Sequence, residues 1–278
     1  MNALPGQPTP DRAHHTQVAG APPTLSDTSP PAARRAALAF TEPDGPVVVV
    51  CGLHGGAGTS TLALLLAHYA AVVSSVPVLL CEAPGASGDQ LALGASESAV
   101  SLDSLAVTLA IGARPPDGWW AERGNLRVLA TPPAAPLDSP ASADLSGTLR
   151  AAAREHGLTV IDGGSVRDHS TRALLGCATH VIWTLSTQPG AVEQARAVLA
   201  SGLVPALAAA QAFALRTDRR SAALTRAVRD LRRVAESHSA RQLLLLPYAP
   251  VLATRPVDLD SEPLHRPLSS LHRFLQSP

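Results

Sequence analysis

Lysine is absent from this chain. All 22 basic residues are arginine, so any site that relies on a flexible ammonium group must be built another way. Aromatic residues make up only 3%. The core must therefore come from Ala, Val and Leu, which suits helices packed on a parallel sheet. Cysteine is limited to Cys51, Cys81 and Cys177. These are too far apart for a metal motif, and their apolar strand or helix-end surroundings mark them as small buried hydrophobes in a reducing compartment. Asparagine occurs only at Asn2 and Asn125. The arginines and the 22 acidic residues cancel, so global charge gives no reason to expect a nucleic-acid or anionic-membrane partner. The first residues are polar and proline-rich and lack a signal pattern. No run of about 20 uncharged apolar residues reads as a membrane span. The nearest, residues 61–81, is split by Ser74, Ser75 and Pro77. The ten histidines show no metal spacing, and nothing resembles a nucleophile elbow.

What is present begins after a Pro-, Ala-, Thr- and Ser-rich stretch. Residues 1–45 show no sustained periodicity and are expected to be a disordered tail. From residue 46 to 278 the chain alternates between apolar runs and amphipathic segments. Val47–Cys51, Val78–Cys81, Leu126–Ala130, Thr159–Ile161, His180–Leu185 and Leu243–Leu246 are expected strands. Ser60–Val73, Val100–Ala110, Asp144–His156, Thr171–Cys177, Gly190–Ala200, Arg219–Ser237 and Pro263–Gln276 are expected helices. Val204–Leu215, mostly alanine, fits either state. This alternation predicts an α/β fold, a mainly parallel sheet with helices on both faces. Ligands then bind at the carboxyl ends of the strands, where the turns after Cys51, Cys81, Asp162 and Leu185 lie.

Residues 47–63 read VVVVCGLHGGAGTSTLA. An apolar strand runs into a turn through Gly55, Gly56 and Gly58, and Ser60 and Thr61 open a helix. This is the layout of a phosphate-binding loop, usually G-x-x-x-x-G-K-[ST]. Thr59 stands where the lysine belongs, and Leu53 where the first glycine belongs. The remaining backbone N–H groups and the helix dipole still favour an anion, and Ser60 keeps the hydroxyl suited to magnesium. No arginine lies between Arg35 and Arg114. His54 is a local cation only when protonated, and Arg167, a few residues after Asp162, is the candidate compensating cation.

The loop resembles the deviant Walker A motif of the MinD/ParA family, K-G-G-x-G-K-[ST]. His54 falls at the signature lysine, Thr59 at the second lysine and Ser60 at the magnesium ligand. The segment VLLCEAPGASGD, residues 78–89, is similar to the family's second-strand motif, with Glu82 at its first aspartate. TVID, residues 159–162, is similar to the Walker B strand, and LPYA, residues 246–249, to a late L-P-Y-D element. The nearest branch is the CpaE/TadZ-like proteins, which often carry a small residue at the second lysine position.

The resemblance implies a P-loop domain over residues 46–278. It implies ATP or ADP held weakly by His54, Gly55, Gly56, Gly58, Thr59, Ser60, Thr61 and Glu82, with Mg2+ at Ser60 and Asp162. Three departures weaken the catalytic set: the lysine is gone, Pro84 replaces a carboxylate near the attacking water, and no asparagine follows the 204–215 region to read the base. Little or no hydrolysis is then expected, with no catalytic residue assigned beyond Arg167. The implied role is a homodimeric, cytoplasmic pseudo-ATPase that organises a polar, secretory, pilus, conjugation or partition assembly. Peripheral attachment at the inner membrane face is consistent with such a role. The alternatives are an active partition-type ATPase using a compensating arginine and a nucleotide-free scaffold. Arg226, Arg229 and Arg233 share one helix face and could meet DNA phosphates, although a solvated outer face explains them as well. Residues 263–276 are amphipathic enough for a membrane surface, although their apolar face suits packing on the sheet equally.

Overall fold

The computed structural model describes residues 44–83, 108, 111, 121–129, 145–167, 169–188, 190–202, 204, 207–217, 222–247 and 262–276. Residues 1–43 of the expected tail, the helix at 100–110 (Thr108 apart), the proline-rich segment 132–140 and Pro84 lie outside the described residues.

Among the described residues eight strands form one sheet. They are β1 (Val47–Gly52), β2 (Val78–Glu82), β3 (Ala121–Arg123), β4 (Leu126–Leu129), β5 (Leu158–Ser165), β6 (His180–Ser186), β7 (Ala210–Arg216) and β8 (Gln242–Leu246). Their order is β3-β4-β2-β5-β1-β6-β7-β8. All neighbours run parallel except β3 and β4. The six described helices are α1 (Thr59–Val73), α2 (Leu145–Ala153), α3 (His169–Leu175), α4 (Ala191–Ala200), α5 (Ala222–Ser237) and α6 (Glu262–Leu275).

Successive strand residues point to opposite faces, and the core divides accordingly. Val48 and Val50 of β1 pack with Leu62, Leu66 and Tyr69 of α1 and with Leu268, Leu271 and Phe274 of α6. Val47, Val49 and Cys51 pack on the other face with α2, α3, α4 and α5, through Leu149, Leu174, Val198 and Leu231 among others. Burial on both faces explains why β1 reads as an unbroken apolar run. Two of the few aromatics sit at the centre: Trp183 and Phe213 are fully buried, and the Trp183 Nε1–H donates to Gln211 Oε1 at 2.9 Å. The three cysteines are buried and form no disulfide. Burial pushes the Cys81 and Cys177 thiols up, away from thiolate chemistry.

The ambiguous alanine-rich stretch becomes a strand only from Ala210. Its partners β6 and β8 lie on both sides, so tertiary pairing overrides the helix propensity of alanine. β4 matches the expected strand at 126–130, whereas its antiparallel edge partner β3 has no counterpart among the expected strands. The pair turns through Gly124 and Asn125, and Gly124 has φ +61°. The apolar face of α6, with Leu264, Leu268, Leu271, Phe274 and Leu275, is buried. It is thus spent on the core and not presented to a membrane surface. Among the described residues no helix is long and apolar enough to cross a membrane.

Candidate functional site

β1 ends at Gly52, in the middle of the sheet, and the chain turns through residues 53–58 into α1. Three contacts tie this turn to β6. The Leu53 N–H donates to Thr184 O at 3.1 Å, and the Leu53 side chain is fully buried in the core. The Ser186 N–H donates to His54 Nε2 at 3.0 Å. The Thr59 and Thr184 hydroxyls lie 2.9 Å apart. Thr184 Oγ1 donates to Cys51 O at 3.3 Å, so its single proton is used there and Thr59 is the donor to Thr184.

The two positions that resemble the lysines of the motif therefore hold the loop down. His54 is buried. Its Nε2 accepts from Ser186 and its Nδ1 lies 2.8 Å from Gly55 O. Those partners select the Nδ1–H tautomer, because Nε2 must offer its lone pair to an N–H. Thr59, also buried, turns its hydroxyl to β6.

With these side chains turned inward, the loop offers mainly backbone. Gly56 has φ +70° and Gly58 φ +89°, a conformation that L side chains adopt at a cost. A Cβ on Gly55 or Gly56 would meet no atom within 4 Å, so both face open space. Gly58 is the N-cap of α1. No side chain caps this helix and its first turn carries no acid, which leaves its N–H groups and dipole directed outward.

The opening is a cavity of about 360 Å³ lined by residues 54–61 together with Gly164, Ser165 and Arg216. It brings together seven of the expected binding residues: His54, Gly55, Gly56, Gly58, Thr59, Ser60 and Thr61. Glu82 and Asp162 are fully buried at adjacent strand ends, paired in register between β2 and β5, and do not line it. The reason lies in β5. Val50 pairs with Asp162, but Gly52 pairs with Ser165, so one extra residue is inserted in β5. Asp162 Oδ1 accepts the Gly164 N–H at 3.1 Å and braces this bulge. The bulge carries Gly164 and Ser165 to the wall. Arg167 is exposed and outside the wall. Its N–H donates to Ser165 Oγ at 3.3 Å, and its carbonyl accepts from Arg172 at 3.0 Å.

Sequence reasoning missed Arg216. It ends β7, two strands away from β1, yet its side chain lines the cavity. The available signal was an arginine closing a buried apolar strand at the carboxyl edge, AFALR at residues 212–216.

A phosphate group fits this wall, with its open glycines, uncapped helix and arginine. For magnesium, Ser60 offers a hydroxyl from the wall, while Asp162 stands buried behind the bulge. Among the described residues no group of three or more His, Cys, Asp and Glu could hold a metal on its own.

No family model matches the sequence, and no curated protein matches it. Solved structures do match in fold. A Cyanothece McdA–ATP complex superposes with TM-score 0.67 at 16% identity, covering 85% of this chain and 98% of that one. A ParA family ATPase from Chlorobium tepidum gives 0.67 at 13% identity, covering 82% and 98%. The MinD cell division protein of Aquifex aeolicus gives 0.60 at 15% identity, covering 84% and 97%. The chain has the α/β P-loop fold of these MinD/ParA-type ATPases.

Proposed function

We propose that this chain is a MinD/ParA-like positioning protein, closest to the CpaE/TadZ-like branch, that binds ATP or ADP weakly and hydrolyses it little or not at all. One observation carries this reading: the loop keeps its backbone cradle while the side chains at both lysine positions are bound to β6. Backbone donors and a helix dipole attract phosphate. Transition-state stabilisation by a fixed cation and an oriented water is a separate requirement, worth about 3–4 kcal/mol per lost donor in comparable sites. Magnesium, when bound, would screen phosphate charge, with Ser60 as its ligand and Asp162 behind it. Nucleotide then acts as a structural ligand or dimerisation cue for a secretion, pilus, conjugation or partition assembly at the cytoplasmic side of a cell. The similarity to McdA, ParA and MinD structures supports a positioning role of this kind.

This reading implies protein partners and a second copy of the chain. Arg226, Arg229 and Arg233 are exposed on α5, and Arg233 lies 3.6 Å from Asp230. They remain a candidate DNA-facing row, tested by the salt dependence of DNA retention. The nucleotide reading is tested by calorimetric titration with ATP and ADP, with and without magnesium, beside a phosphate-release assay. Binding without release is expected. Robust turnover that survives Arg167→Ala would favour an active ATPase, and absence of any binding would favour a scaffold.

A further inference from the structure

We infer that Arg216 supplies, from the end of β7, the cationic phosphate contact that Thr59 cannot give, so that the site selects ligands by their phosphate chain. This inference rests on the nucleotide reading above.

The backbone of Arg216 is fixed. It pairs with Ser186 of β6 and Leu246 of β8, and its carbonyl accepts the Thr187 N–H at 3.1 Å. From this anchored point the side chain crosses to the α1 entry. A Cβ on Gly58 would lie 3.4 Å from Arg216 Cδ and 3.5 Å from a terminal guanidinium nitrogen. The guanidinium therefore stands over the N-cap of α1. Among the described residues lining the cavity it is the sole arginine, and none of them is acidic.

A cation beside a helix N-terminus is the arrangement that the macrodipole disfavours. An anion in the cavity would be attracted by both positive elements at once. Backbone N–H groups from the loop would approach such an anion from one side and the arginine fork from the other. A guanidinium is always charged and binds two oxygens in parallel. It thus suits a phosphate better than a neutral ribose or base. The side chain is half-buried, so the contact is only partly screened by solvent.

The test is calorimetry on the full chain with ATP, ADP and inorganic tripolyphosphate, comparing the unaltered protein with Arg216→Ala, Arg216→Gln, Arg216→Lys and Gly58→Val. Arg216→Ala and Arg216→Gln should weaken all three ligands at least about tenfold, the usual scale for a hydrogen bond to a charged group. Arg216→Lys should recover part of that loss, because it restores charge without the fork. Gly58→Val should lose binding altogether. If Gly58→Val loses binding while Arg216→Ala and Arg216→Gln match the unaltered protein, the loop reading stands and the arginine assignment falls. If ATP weakens but tripolyphosphate does not, the contact is to the nucleoside and the assignment also falls. If the unaltered protein binds none of the three, the nucleotide reading falls and takes this inference with it. Should thermal melts show Arg216→Ala unfolded, the Gln and Lys variants decide alone.

Discussion

The two ends of the sheet pair their polar groups alike but to different effect. At the amino end of the strands backbone and side-chain groups are spent on one another, Thr159 Oγ1 apart. The Gly45 N–H donates to His156 O at 2.9 Å and the Thr159 N–H to Pro46 O at 3.0 Å. Thr179 Oγ1 accepts the Val47 N–H and donates to Val47 O, each at 3.0 Å. Asn125 binds the start of β2 through its carbonyl at 2.8 Å and the end of α1 through its side chain at 2.8 Å. At the carboxyl end, side chains are again paired inward, as His54 with Ser186 and Thr59 with Thr184 show. There, however, the pairing leaves the loop backbone and Arg216 turned to an open cavity. The same hydrogen-bond economy closes one end and prepares the other for an anion. Changes at the amino end should therefore cost stability and spare binding, while changes in the loop should do the reverse.

The largest stability effect should come from the element that serves both ends. β6 carries Thr179 just before its start and Thr184 and Ser186 near its end, and Trp183 is its largest buried side chain. Trp183→Ala removes that volume and the bond to Gln211. A loss of about 3–5 kcal/mol is expected, read as a lower urea midpoint, with ligand affinity falling only because less protein is folded. A near-neutral result would mean that the two core layers are far looser than their burial implies.

Next is Thr184→Val, which keeps the shape and deletes the hydroxyl between Thr59 and Cys51 O. Leaving those buried groups short of a partner should cost about 1–3 kcal/mol. It should also weaken ATP, since the loop loses one of its ties to β6. Equal ATP affinity after correction for the folded fraction would show that the tie is structural alone.

Gly58→Val sharpens the contrast. The residue sits at φ +89°, so a β-branched side chain costs about 1–2 kcal/mol of backbone strain. Its Cβ would reach van der Waals contact with Arg216 Cδ at 3.4 Å, so the valine methyls would take space that the phosphate approach and this side chain share. A modest fall in Tm with complete loss of ATP and ADP binding is expected. The amino-end counterpart, Asn125→Ala, should lower Tm with binding intact.

Much of this contrast was legible in the sequence. The run VVVVC announced a strand buried on both faces, and the glycines with Ser60 and Thr61 announced an open turn into a helix. Other parts were not. The helix propensity of alanine masked the start of β7 until its pairing with β6 and β8 was visible. Arg167 drew attention because it follows Asp162, whereas Arg216 reaches the loop from a strand distant in the chain. The arginine that closes AFALR marks the carboxyl edge of the sheet, but local sequence carries no signal for how far across the sheet its side chain reaches. The bulge in β5 was equally hidden: TVIDGG fixes the strand, but only pairing with Gly52 reveals the extra residue that brings Ser165 to the wall and keeps Asp162 behind it.

The smallest effect should be a pH dependence that belongs to the amino end. His156 is fully buried, with its Nδ1 2.6 Å from Ala152 O and its Nε2 3.4 Å from an Arg127 guanidinium nitrogen. Burial is the main reason its pKa lies below the usual value, and the charge of Arg127 acts in the same direction. The Ala152 hydrogen bond and Glu155 oppose it. His68 on α1 is lowered as well, by burial and then by Arg123. An unfolded histidine titrates near ~6.5. Below that pH the unfolded chain takes up protons that the folded chain refuses, so stability rises with pH in this window. The contribution is complete above about 6.5 and is lost as pH falls through the lowered folded values. Urea titrations from pH 8 to pH 5 should show the decline, and His156→Gln should flatten part of it. A slope unchanged in His156→Gln would assign the titration to His68 or to the carboxylates. A slope that appeared in ATP affinity at constant folded fraction would break the separation of the two ends.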